Sequence, residues 1–136
     1  MKNIAEVSVT IKAPSAKVWE WLTKPELVNK YFFGTHLHTD WSPGSPILFR
    51  GEWQGKPYED KGKVLEFRKE EHLAYLYWSN FSGTPDALEN YEKITFDLSQ
   101  SATCTTVVVR QECTNKEHIE NNWRSVLDGL KKAIEG

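Results

Sequence analysis

Residues 114–136 read TNKEHIENNWRSVLDGLKKAIEG, and their periodicity decides the fold. Thr114 and Glu117 stand at the spacing of a capping box, in which two side chains satisfy backbone N–H groups at a helix start. Ile119, Trp123, Val126, Leu127, Leu130 and Ile134 follow at intervals of 4, 3, 1, 3 and 4 residues, one stripe of a 3.6-residue period. The predicted helix has ~20 residues and a length of about 30 Å, enough to cross a small sheet. A structural helix manages with Leu and Ile. Here a tryptophan stands early on the stripe, which raises the question of what the helix faces.

Working back from the helix, nearly everything alternates with the two-residue period of strands. TTVVVRQE (105–112), YEKITFDL (91–98), LAYLYW (73–78), GKVLEF (62–67), ILFRGEW (47–53) and HLHTDW (36–41) are predicted strands, separated by RKEEH, QGKP, SPGSP and the longer NFSGTPDALE. Before them, AEVSVTIK (5–12) alternates with Ala5, Val7, Val9 and Ile11 on one face. Pro14 stops it, and Ser15 is the expected N-cap of a short helix with Val18, Trp19 and Leu22 inward. Thr23 and Glu26 flank Pro25 as a second start signal, for a helix over PELVNKYF that ends near Gly34. The order is strand, two short helices, six antiparallel strands, long helix. One helix cannot cover both faces of such a sheet, so the sheet is expected to curl around it. Gly51 and Gly62 are the expected bends or bulges.

The 136 residues are predicted to form one domain, residues 1–136. The chain is 39% hydrophobic and 26% charged, with a formal net charge of −2, which points away from nucleic acid and anionic membrane. No apolar run reaches the ~18–20 residues of a membrane span. The start MKNIAEVSVTIK alternates rather than forming a signal-peptide core, so the cytoplasm is the expected location. Cys104 and Cys113 on one strand are about 30 Å apart, too far for a disulfide. Six Trp, five Tyr and six Phe suit a bulky core or an aromatic-lined pocket.

The order of elements, with IKAPSAKVWEWLTKPELVNKYFFG, PILFRGEWQGKPYEDKGKVLEF, LAYLYWS and NNWRSVLDGLKK, resembles the helix-grip fold of the START and birch-pollen-allergen superfamily (SRPBCC), and within it the activator-of-Hsp90-ATPase-like branch. Asn122 stands where that branch usually carries Gly before the helix tryptophan. The resemblance implies an α+β domain whose curved antiparallel sheet wraps the C-terminal helix, with a cavity between them. Relatives use such a cavity for lipids, sterols, hormones, polyketides or flavonoid-like molecules.

On that basis Trp41, Phe49, Trp53, Trp78, Trp123 and Leu127 are candidate cavity walls, although simple core filling accounts for any one of them equally well. Whether Tyr77 or Trp78 takes the inward place on its strand stays open. Gln111 shares parity with Val107 and Val109, so it points inward if the strand is regular, bonding either backbone or a ligand's polar end. Tyr58 and Tyr91 are placed at the cavity mouth or, somewhat better, at the surface. Phe33 and Phe81 are candidate gates. His36, His38 and Asp40 share a face, but Leu37 and Trp41 claim the buried side, so no metal is assigned. Glu52, Glu59, Asp60 and Glu66 read as solvated charge.

No nucleophile, acid–base or phosphate-binding motif occurs, and no cofactor is expected. The first reading is a binder of a small hydrophobic partner. A co-chaperone of Hsp90 is the second, weakened because the eukaryotic activators carry a further N-terminal domain that these residues do not contain. A cyclase- or hydratase-type enzyme using the same cavity is the third. An outward aromatic patch on the 73–78 strand would suit a homodimer.

Overall fold

Each strand of the sheet pairs antiparallel with its neighbours, in the order β1-β7-β6-β5-β4-β3-β2. The computed structural model describes residues 3–32, 34–79 and 82–136, with the backbone alone at Trp53. Among them are seven strands: β1 (Asn3–Ile11), β2 (His36–His38), β3 (Pro46–Trp53), β4 (Lys56–Arg68), β5 (His72–Trp78), β6 (Glu92–Ser101) and β7 (Cys104–Cys113). The helices are α1 (Ser15–Thr23), α2 (Pro25–Tyr31) and α3 (Lys116–Glu135). Strands β2 to β7 form a simple meander. The two short helices carry the chain from edge strand β1 to the opposite edge, and α3 then returns to pack chiefly against β1. This is the helix-grip fold.

The stripe on α3 is as expected: Trp123, Val126, Leu127, Leu130 and Ile134 are buried, with Ile119 partly so. Because α3 lies over the β1 side, it fills only part of the concave face. At one end Ile11, Val18, Leu73, Val107, Leu127 and Leu130 close into a core with almost no exposure. At the other end, over β3 to β6, the concave face is left open.

The local signals are displaced in several places. α1 begins at Ser15 itself, with Pro14 as N-cap. Thr23 belongs to the last turn of α1, where its hydroxyl donates to the Trp19 carbonyl, and Lys24 caps α2. Asn115 rather than Thr114 caps α3, its side chain accepting from the His118 N–H. Strand β2 ends at His38, and Trp41 leaves the strand pattern with φ of 61°. That left-handed backbone costs a bulky residue about 1–3 kcal/mol. It is held by the Trp41 N–H donating to Thr39 Oγ1 and by the indole N–H donating to the Thr23 carbonyl at 2.8 Å. The ring stacks on Phe67.

β4 is twice as long as its hydrophobic pattern suggests. It starts straight after the two-residue turn Gln54–Gly55, where both φ angles are positive, as tight hairpin turns require. The bulge sits between Val64 and Glu66, at neither glycine. It flips the alternation, so Tyr58, Asp60, Gly62 and Val64 share the inner face before it and Phe67 joins that face after it. Both cysteines are free, at opposite ends of β7. No helix among the described residues is long and apolar enough to cross a membrane.

Candidate functional site

The open end of the concave face is a cavity of about 590 Å³. Strands β3 to β7 supply Phe49, Tyr58, Asp60, Tyr75, Tyr77, Glu92, Ile94 and Gln111 to its wall. The first half of α3 supplies His118, Ile119, Asn122, Trp123 and Val126, and the segment after α2 supplies Phe32 and Thr35. Behind Trp123, Phe49 and Tyr75 lies a second, apolar void of only about 30 Å³, lined in part by Leu22, Trp41 and Leu127.

Trp123 stands between the two spaces. Its ring meets Phe32 and Phe96 edge to face, with centroids 5.8 and 5.4 Å away. Its indole N–H donates to Gln111 Oε1 at 2.8 Å, and the Gln111 amide donates in turn to Glu92 Oε1 at 3.2 Å. The chemistry dictates the direction: an indole nitrogen only donates and a carboxylate only accepts, so the amide oxygen must face the tryptophan. Gln111 is 5% exposed and lies in regular pairing opposite Ala5 and Ile94, so the strand has not frayed there. Replacing Gln111 by leucine strands a buried N–H. We expect a loss of about 1–3 kcal/mol in unfolding free energy, measured by urea denaturation. A leucine variant as stable as the parent would show that the bond contributes nothing.

Polar groups gather at the strand ends. Tyr77 donates its hydroxyl to Asp60 Oδ2 at 2.5 Å, and the Tyr58 and Thr35 hydroxyls bond each other at the same distance. Burial pushes the Tyr77 hydroxyl well above its ordinary value, and the Asp60 carboxylate adds to the shift. Burial also raises Tyr75 and Tyr31, the latter with a smaller contribution from Tyr75. These hydroxyls stay neutral when folded but ionise near pH ~10 when the chain unfolds. Their contribution is therefore complete below that pH and is lost as pH rises toward the folded values. In an alkaline absorbance titration, Tyr31, Tyr75 and Tyr77 are expected to ionise in the same step as cooperative unfolding. Ionisation well ahead of unfolding would show them to be accessible.

The expected wall residues are thus divided. Phe49, Gln111 and Trp123 line the large cavity, while Trp41 and Leu127 line only the inner void. Trp78 is on the other face: with Tyr75 and Tyr77 inward, period-two alternation sends it out, where it stacks on Tyr91 and bonds Thr84. Tyr91 lies there too, donating to Asp86, and burial and that bond raise its hydroxyl to about 12. The Trp53 side chain, Phe33 and Phe81 lie outside the described residues. Asp60 was expected in solvent, but it is 7% exposed and on the cavity wall. Its neighbours Glu59 and Lys61 are the solvated ones, paired with Arg50 and Asp86. Tyr58, open between the cavity mouth and the surface in the sequence, is on the wall; Asp60, which the sequence reading missed, shares its strand parity, a signal hidden because polar inward residues break the apolar alternation. Thr35 carried no signal at all. No group of three or more metal-ligating side chains occurs among the described residues.

Residues 12–135 match the family described as activator of Hsp90 ATPase homolog 1-like protein. The chain belongs to that family. With it comes the SRPBCC superfamily, whose helix-grip architecture the sheet and α3 reproduce. The solution structure of ChR145 from Cytophaga hutchinsonii is 42% identical, covers 99% of this chain and 95% of its own, and superimposes with a TM-score of 0.86. The Aha1 dimer from Colwellia psychrerythraea is 19% identical, with 98% and 96% coverage and a TM-score of 0.75. DynU16, from the dynemicin biosynthetic locus, is 20% identical and matches 97% of this chain but 47% of its own, with a TM-score of 0.80. The last two share the fold. No curated protein gives a significant match. Asn122 lines the cavity beside Trp123 and places an amide on the wall.

Proposed function

We propose that this family member binds a small, largely apolar molecule, of lipid, polyketide or flavonoid-like character, between the sheet and the C-terminal helix. The observation that carries the reading is the space itself: about 590 Å³ beside Trp123, walled by Phe49, Tyr75, Tyr77 and Ile94. Small-molecule sites have this size, with mostly apolar walls and a few placed polar groups. A concave cleft of this size, with aromatic side chains on its wall, offers a guest apolar surface that the chain itself does not cover. Burying ~300 Å² of apolar ligand surface gives about 7 kcal/mol gross. The cost of association takes back a large part of that, leaving affinities in the micromolar range.

The test is a titration of the chain with a panel of lipids, polyketides and flavonoids, followed by amide and indole chemical shifts. The Trp123 indole N–H and the Gln111 side-chain amide are expected to move together and saturate. If no panel member shifts either resonance, the chain does not use this cavity for such molecules.

A further inference from the structure

We infer that the cavity selects a cationic head group, so that its preferred guest is an aromatic or otherwise apolar amine. The inference rests on the small-molecule reading above and adds the chemical class. It starts from strand parity. On β4, Asp60 faces the cavity while its neighbours Glu59 and Lys61 face out and are paired there with Arg50 and Asp86. On β6, Glu92 faces in, while the next residue, Lys93, is exposed and absent from the wall. On each of the two strands one carboxylate therefore faces the cavity while the lysine next to it faces out.

Tyr77 fixes where those two carboxylates lie. It sits on β5 between β4 and β6, donates its hydroxyl to Asp60, and is the direct cross-strand partner of Glu92. Strands two places apart are separated by about 10 Å, so a group lying over Tyr77 is within reach of both acids. An ammonium there gains two carboxylates and the faces of aromatic side chains, since Tyr75, Tyr77 and Phe49 share the wall. A fatty-acid or other carboxylate head in the same place meets two like charges. No lysine or arginine occurs among the described wall residues; His118 is the basic side chain there, and it contacts Asn122. The positive end of α3 is close to His118. It is capped by Asn115 and carries Glu117 in its first turn, which weakens its pull on an anion.

Calorimetric titration of the full chain with three probes of one ring system separates the possibilities: naphthylethylamine, naphthylethanol and naphthylacetate. The amine is expected to bind roughly tenfold tighter than the alcohol, and the acetate weakest. Asp60→Asn and Glu92→Gln are each expected to bring the amine-to-alcohol ratio down toward one. Glu92→Gln keeps an acceptor for Gln111, and it serves alone if Asp60→Asn fails to fold. An amine no tighter than the alcohol in the parent overturns cation selection and leaves the small-molecule reading standing. A preference that survives both substitutions also overturns the assignment to these acids. If none of the three probes binds, the aromatic-amine assignment falls, while the small-molecule reading is decided separately by the lipid, polyketide and flavonoid titration.

Discussion

Replacing Trp123 by alanine is expected to lower the unfolding free energy by about 3–5 kcal/mol, and to weaken any cavity ligand by at least tenfold. The residue is 7% exposed, holds two edge-to-face aromatic contacts and donates a buried hydrogen bond. Its removal merges the large cavity with the void behind it, since both spaces share the ring as a wall. The partner amide of Gln111 then loses its donor. Urea denaturation reads the first effect and calorimetry the second. Trp123→Phe separates them: it retains most of the packing and loses the N–H, so it should cost less stability while still altering the wall. A Trp123→Ala protein with parental stability would mean that the helix is held almost entirely by Leu127, Leu130 and Ile134.

Replacing Gly62 by alanine is the second large effect, expected at about 3 kcal/mol or more. A methyl group at that position would lie 2.4 Å from the backbone carbonyl oxygen of Leu76. That oxygen belongs to the paired strand β5, opposite Lys63, so it cannot yield without opening the β4–β5 ladder. Gly51 provides the internal contrast. A methyl there would meet the ring and hydroxyl of Tyr58, a side chain that can swing away. Gly51→Ala is therefore expected to be the milder change, breaking the Tyr58–Thr35 contact and moving Tyr58 rather than the sheet. A urea midpoint for Gly62→Ala equal to that of the parent would show that β5 has freedom its pairing denies.

The sequence reads both glycines as bends or bulges, and both are close approaches of neighbouring groups. The actual bulge lies at 64–66, within a run that carries no glycine beyond Gly62. The difference is physical. A glycine marks a place where a side chain is not tolerated, but whether the cause is a turn, a bulge or a neighbour depends on what lies across the strand. The same applies to β4. Its first half carries Tyr58 and Asp60 inward, and a strand facing an open cavity has no need of inward hydrophobes, so the alternation that announces strands is missing there.

The inward place on β5 shows the same limit. Tyr75, Tyr77 and Trp78 all have aromatic mass enough for a wall, and nothing in LAYLYW ranks them. The pairing of Tyr77 with Gly62 and Glu92 decides the matter, and with it the exclusion of Trp78.

What the chain's order of residues determined by itself was periodic and local: the α3 stripe, the strand alternations, the two short helices and the separation of the cysteines. Those patterns sufficed for an antiparallel sheet curled around one long helix, because a stripe of 3.6-residue period and faces of period two admit few ways to bury each other; the resemblance to a known family supplied the helix-grip fold. The tertiary structure alone decided which end of the concave face was filled, which carboxylates turned inward and which aromatic residues met the space. Such outcomes depend on register, on one bulge and on the side of the sheet that the helix covers, and these are set by contacts between residues far apart in the chain.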